Sequence, residues 1–343
     1  MNNMTNTIDP DPHSEAESFP HTIPASNFRM THKPRLIVLI RHGESASNKD
    51  KLVNEHTPNH LIPLTKNGWA EANHAGLQLL KILNVDSESI VEKLSEKYTI
   101  ENDTRDMLPL KNYEPLNKRK DMDVVFYASP YRRTRETLKG ILDVIDEYNQ
   151  MNTGLVMPVD NCYQPCNKKK SATWKQSGFF ENNENVTKYS DDNLVEGKVI
   201  CELEAKTFIK YRVKDDPRIR EQDFGNFQQV QSMKDVMEKR QTYGHFFFRF
   251  PQGESAADVY DRVASFQETL FRHFEKRDFK KLRDVVVLVS HGIYCRVFLM
   301  KWFRWTYEEY ESFVNVPNGS MMVMELDESI DRYILRTELP RWC

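Results

Sequence analysis

The stretch LIVLIRHGESASN, residues 36 to 48, decides the fold. Five apolar residues, Leu36 to Ile40, run without interruption into Arg41, His42 and Gly43. A short continuous apolar run of this kind reads as a strand buried on both faces, and such strands belong to parallel sheets covered by helices. Ligands of open α/β sheets bind at the carboxyl ends of the strands. Arg41 and His42 fall at that end, where a core has no use for them.

The pattern returns late in the chain. DVVVLVSHG, residues 284 to 292, is a second apolar run that delivers Ser290, His291 and Gly292. Between the two, DVVFYAS at 123–129 reads as another buried strand, followed by PYRRTRET with Arg132, Arg133 and Arg135. Pro130 suits the first position of the helix that follows it. Thr65 is the expected N-cap of a helix with apolar residues Trp69, Ala72, Gly76, Leu79 and Leu83 at helical spacing. Further helices are expected from Glu254 and over 293–303, and a final strand over 321–326. Strands alternating with helices predict a three-layer α/β/α sandwich on a mostly parallel central sheet.

With 343 residues, 39% of them hydrophobic, the chain can bury a substantial core. A net charge of -3 gives no general attraction to nucleic acid or to an anionic membrane, so a basic site must be local. No apolar run reaches the length of a membrane span, and residues 1–33 lack the cationic start and apolar stretch of a secretory signal. The five cysteines, Cys162, Cys166, Cys201, Cys295 and Cys343, are odd in number and scattered, which argues against a disulfide framework. The expectation is a cytoplasmic protein with reduced thiols. Its organisation reads as a disordered tail over 1–33, one domain over 34–330 with polar insertions near 84–121 and 149–198, and a C-terminal tail over 331–343. The first insertion has room for a short helix; the second, with Lys168 to Lys170, has the composition of a solvated loop. Metal is not expected: Pro58 breaks any helical pairing of His56 with His60, and Cys162 with Cys166 lacks a second ligand pair. No cofactor is called for.

Three strands thus bring two histidines and at least two arginines to one sheet edge. Cations gathered this way need an anion, and a phosphoryl group fits them best. Guanidinium groups offer planar, bidentate donors to phosphate oxygens, and loop N–H groups near Gly43 and Gly292 add more. An imidazole in line with such a group can attack phosphorus and carry the phosphate covalently.

RHGES at 41–45, SPYRRTRET at 129–137, REQDFGNF at 220–227, FPQGES at 250–255 and SHG at 290–292 together resemble the histidine phosphatase superfamily, also called phosphoglycerate mutase-like. The resemblance implies that His42 is the phosphorylated nucleophile and that Arg41 binds phosphate. It makes His291 the second phosphate-binding histidine and places Ser45 and Asn48 in the loop that touches phosphate. Arg133 matches the pocket arginine, with Arg132 beside it as the other choice. Glu221 matches the acid that protonates the leaving group and later activates water. That role demands a raised pKa, to which Phe224 and Phe227 are near enough in sequence to contribute.

Within the superfamily, the segment after Glu221 carries Lys239, Arg240 and Arg249 but not the tandem basic arrangement of the glycolytic mutases. RFPQGES is similar to fructose-2,6-bisphosphatase domains and small phosphatases, and no phosphate-binding kinase loop is present. The resemblance is strongest to the fungal broad-range acid phosphatases. It implies a metal-independent phosphomonoesterase acting on a small phosphorylated substrate, with a link to sterol transport. The alternatives are a phosphoglycerate mutase, a sugar bisphosphatase, or a weakly active scaffold that binds a phosphorylated ligand. The aromatic run at 243–250 is expected as core or pocket wall.

Overall fold

A computed structural model of the protein describes residues 33–85, 88–98, 108–113, 121–153, 208–225, 230–275 and 285–342. Leu36–Arg41 forms β1. The helices that follow are α1 (Ala46–Lys49), α2 (Val53–His56), α3 (Lys66–Ile82) and α4 (Glu88–Tyr98). Next come β2 (Asp121–Ala128), α5 (Arg132–Thr153), β3 (Phe208–Asp215), α6 (Val230–Tyr243) and α7 (Ala256–Glu275). The chain then adds β4 (Val285–Ser290), α8 (Gly292–Phe303), α9 (Tyr307–Ser312), β5 (Met321–Asp327) and β6 (Arg332–Leu335).

The six strands form one sheet in the order β3-β2-β4-β1-β5-β6. The first four are parallel and the last two pairings antiparallel, so the sheet is mostly parallel as expected. Alternation along β1 shows why its apolar run is unbroken. Leu36, Val38 and Ile40 pack with residues of α3, α4 and α5, whereas Ile37 and Leu39 pack with α7 and α8 on the other face. Val285, Val287 and Val289 of β4 share the first cluster, Val286 and Leu288 the second. A strand covered on both sides has no polar face to show.

Local chemistry sets the element ends. Thr65 caps α3 by accepting the Gly68 N–H at 3.0 Å, as its position predicts. α5 begins at Arg132 instead of Pro130, because the Tyr131 carbonyl is the first to accept, from the N–H groups of Thr134 and Arg135. α7 begins at Ala256, two residues beyond Glu254, because Ser255 and Asp258 exchange hydrogen bonds across its first turn. α4 supplies the short helix allowed for in the first insertion.

One boundary read from the sequence changes. Residues 332–335, placed there in a C-terminal tail, pair with β5 as an edge strand. Beyond them Leu339 is buried and the Trp342 N–H reaches the Ser312 carbonyl, so this end of the chain is part of the packed unit. The expected tail over 1–33 lies outside the described residues except for Lys33, as do Lys168 to Lys170, Cys162, Cys166, Cys201 and Cys343.

Candidate active site

Register assembles the site. Arg41 of β1 pairs with Ser290 of β4, and Ala128 of β2 with Val289. The next residue on each strand is therefore His42, His291 or Ser129, side by side at the carboxyl edge. The rings of His42 and His291 lie 5.1 Å apart at 67°. Both are buried, and the Ser129 hydroxyl is 2.8 Å from His291 Nε2.

His42 Nδ1 donates to the Gly43 carbonyl at 2.7 Å, since a carbonyl can only accept. The lone pair is thereby fixed on Nε2, where the Arg133 Nε–H reaches it at 3.2 Å. The His42 pKa lies well below the usual histidine value, because burial and then the guanidinium groups of Arg133 and Arg41 disfavour a further positive charge. His291 is held neutral in the same way, by burial first and Arg133 next.

The loop that carries His42 is braced on several sides. The Gly43 N–H donates to Thr137 Oγ1 on α5, and the Glu44 N–H donates to the Glu71 carboxylate on α3. Asn318, in the turn before β5, donates to the His42 carbonyl at 3.0 Å. Gly43 and Gly68 let the loop touch the start of α3. A Cβ on Gly43 would lie 2.3 Å from the Gly68 carbonyl oxygen, and one on Gly68 would lie 2.1 Å from that of Glu44.

Placement on α5 separates the adjacent arginines. Arg133 is buried, donates to His42, and is clamped through Nη1 to the carbonyl and side-chain oxygens of Asn59, at 2.7 and 3.0 Å. Arg132, one position round the helix, points outward to Glu136 at 2.7 Å, and Arg135 pairs with Asp215. Arg133 is therefore the residue brought to the histidines. Arg41 donates through Nη1 to the Val316 carbonyl, while its Nε is buried with no partner among the described residues.

Glu221 follows the short 3₁₀ turn Pro217–Ile219 after β3 and has no regular element to hold it. Arg262 on α7 does so by donating to the carbonyls of Arg218, Arg220 and Glu221, at 2.6, 2.8 and 3.1 Å. Glu254 completes the brace, accepting from Arg220, Arg262 and the Asp223 N–H. This explains the FPQGES motif, whose part in the site its residues alone did not reveal. Burial raises the Glu221 pKa above the usual carboxylate value, against the opposing pull of Arg133. Phe224 nearby packs edge-on to Phe250 at 5.0 Å, and Phe227 lies outside the described residues. Glu221 Oε2 is 4.0 Å from His291 Nδ1, too far for a hydrogen bond, and that nitrogen too is buried without a partner among the described residues.

Asn48 and Ser45 are placed differently from one another. Asn48 is exposed, and its carbonyl oxygen accepts from the Ser45 N–H, the Ser45 hydroxyl and Asn318, which leaves its NH2 as the group able to donate. The Ser45 hydroxyl is buried against Asn48 and Ser47, where it builds the turn into α1. Gly292 opens α8 directly after His291. The aromatic run is divided: Phe246 and Phe250 are core, whereas Tyr243 and Phe247 are exposed. Sequence reading missed Asn59, Ser129 as the partner of His291, Thr137, Arg262 and Asn318. Each acts through hydrogen bonds across the fold, which no local pattern signals.

The arrangement gathers the buried guanidinium of Arg133 and the half-buried one of Arg41, a buried imidazole with a directed lone pair, a second buried imidazole and a carboxyl whose pKa burial raises. Buried donors left without acceptors, such as Arg41 Nε, suit an anion. The chain belongs to the histidine phosphatase superfamily. The profile of "Histidine phosphatase superfamily (branch 1)" matches residues 202–335, which include Glu221 and His291. The chain is similar to the Broad-range acid phosphatase DET1 of Saccharomyces cerevisiae, with 64% identity over 315 residues, 90% of this chain and 91% of that one. It is 32% identical to the phosphoglycerate mutase-like protein AT74H of Arabidopsis thaliana, over 86% of this chain and 75% of the relative. Identity to AT74 of the same plant is 31%, over 90% and 72%.

Proposed function

We propose that the protein is a metal-independent phosphomonoesterase of broad range that works through a phosphohistidine on His42. The observation that carries this reading is the Nδ1–H bond to Gly43, which holds the reactive lone pair on Nε2 beside Arg133. A phosphate oxygen is a stronger acceptor than imidazole, so a bound phosphoryl group draws the Arg133 N–H to itself and frees that lone pair. Nε2 then attacks phosphorus, the bond from phosphorus to the ester oxygen breaks, and Glu221 gives its proton to the departing oxygen. In the second half, the Glu221 carboxylate takes a proton from water while the water oxygen attacks phosphorus. The P–N bond breaks, inorganic phosphate leaves, and His42 is neutral again.

Arg41, Arg133 and His291 stabilise charge on the equatorial oxygens, the task metal ions perform in other phosphatases. With the Ser129 hydroxyl as donor to His291 Nε2, 2.8 Å away, the His291 proton sits on Nδ1, where a phosphate oxygen can accept it. Asn48 and the Gly292 N–H are further donors; Ser45 acts by shaping the loop. Burial widens the working range at both ends: His42 stays neutral into acid, and Glu221 stays protonated above the usual carboxylate range. An acid phosphatase needs both. The identity to DET1, named a broad-range acid phosphatase, supports the reading. The sterol link implied by resemblance has no counterpart in this geometry, and the proposal is confined to phosphoester hydrolysis.

The test is phosphate labelling of the full chain from a radioactive phosphomonoester, with chelator present and a denaturing alkaline quench that preserves the P–N bond. Wild type is expected to carry label and release phosphate steadily, and His42→Ala to do neither. Turnover that stops on adding the chelator, or label that persists in His42→Ala, overturns the mechanism.

A further inference from the structure

The side chain of Tyr131 has no part in the chemistry above, yet its ring lies against two of the groups placed around the phosphate. Its centroid is 5.1 Å from that of His291, at 71°, and the Arg133 guanidinium carbon lies 4.9 Å from it. On its outer side the ring of His60 stands 6.5 Å away at 61°. His60 is held there by its neighbour, since Asn59 takes both Arg133 Nη1 bonds. His291 is fully buried, Tyr131 half-buried and His60 exposed, so three rings step outward from the phosphate cradle to the surface.

The backbone of Tyr131 is fixed. Its carbonyl accepts the Thr134 hydroxyl at 2.6 Å and the N–H groups of Thr134 and Arg135 at 3.1 Å, one residue ahead of α5. The hydroxyl of Tyr131 makes no hydrogen bond among the described residues, so the ring is not kept in place to serve that group. Burial, ahead of the charges of Arg133, Asp223, Glu221 and Arg220, raises the Tyr131 pKa, so the phenol is uncharged.

Among the described residues, the groups already placed at the two histidines, Arg41, Arg133, Ser129 and Glu221, are charged or hydrogen-bonding and suit the phosphoryl group and its departing oxygen. Discrimination among esters falls to what lies next to it, and here that is an aromatic wall. Aromatic pairs in edge-on or offset contact gain more than their buried area alone supplies. We propose that Tyr131, with His60 outside it, is a leaving-group contact that favours phosphomonoesters of planar or apolar ring alcohols, aryl phosphates being the chemical class. The proposal rests on the phosphatase reading of the cradle.

Calorimetric titration of the full chain with phenylphosphonate and methylphosphonate tests it without requiring turnover, since neither ligand is hydrolysed. Wild type is expected to bind the phenyl compound about tenfold tighter. In Tyr131→Ala that preference should shrink to less than about twofold, with methylphosphonate affinity unchanged. Tyr131→Phe should keep the preference, because the hydroxyl is not needed. Tyr131→Leu, which retains volume, serves if the alanine variant does not fold. Equal affinities in wild type, or a loss in Tyr131→Ala that is the same for both ligands, overturns the ring contact and leaves the cradle standing. Failure of wild type to bind either phosphonate overturns the cradle itself.

Discussion

The ends of β1 and β4 carry the same short pattern, an apolar run followed by a histidine and a glycine, and they lie side by side in register. The chain treats the two imidazoles in opposite ways. His42 has Nδ1 tied to its own loop and Nε2 directed at Arg133. His291 has Nε2 tied to Ser129 and Nδ1 turned toward Glu221. Both are buried and both are held neutral for the same reason. The difference lies in which nitrogen is occupied, and the occupying partner comes from elsewhere in the fold. A histidine's task here is set by its hydrogen-bond partner and not by the motif that delivers it.

The comparison breaks first at the histidines themselves. His42→Ala is expected to reduce turnover to background, whereas His291→Ala should lower kcat/KM by about 10²–10³ while still forming the phosphoenzyme, as for loss of one charge-stabilising donor. Equal effects in steady-state and labelling assays would make the two residues interchangeable and end the distinction. Glu221→Gln comes next, with a loss on the order of 10² for alkyl phosphates and a smaller one for 4-nitrophenyl phosphate, whose leaving group needs no proton. The wild-type rate should fall as pH rises through the raised Glu221 pKa, and a pH profile of the variant should lack that limb.

Ser129→Ala sharpens the contrast further. It removes only the tie on His291 Nε2 and should cost about tenfold in kcat/KM, in line with one buried hydrogen bond, with the phosphoenzyme still forming. The smallest effect is on stability. Below about pH 6.5 the unfolded chain binds protons that the buried imidazoles refuse, so stability is full above that pH and declines as pH falls. Melting curves between pH 7 and 5.5 should drop by a few degrees in wild type and less in His291→Asn. The Glu221 contribution has the other sign, being present at low pH and lost as pH rises through its raised pKa, and it is common to both proteins.

What the sequence disclosed follows from range. The apolar runs of β1, β2 and β4 and the residues just beyond them are local, so the layered fold, Arg41, His42 and His291 could be read directly. Arg133 is preferred to Arg132 by resemblance alone, because the physical choice depends on where α5 starts, and Tyr131 starts it two residues later than Pro130 suggests. Ser45 has the composition of a phosphate ligand, but Asn48 three residues on claims its hydroxyl. Arg262 was invisible as the holder of Glu221, since the two are joined only by contacts 41 or more residues apart in the chain. Strand β6 escaped because it is short: only four residues, RYIL at 332–335, pair, and their partner β5 is itself antiparallel to the strand beside it.

The meeting of Gly43 with Gly68 has a consequence for transplantation. Backbone abuts backbone there, so the height of His42 above the sheet is set by the first turn of α3 and not by the strand that delivers it. Moving the Arg-His-Gly tripeptide to another parallel sheet would carry the reagents without their depth gauge. A working graft would have to bring both glycines, and the helix start between whose peptide groups they fit.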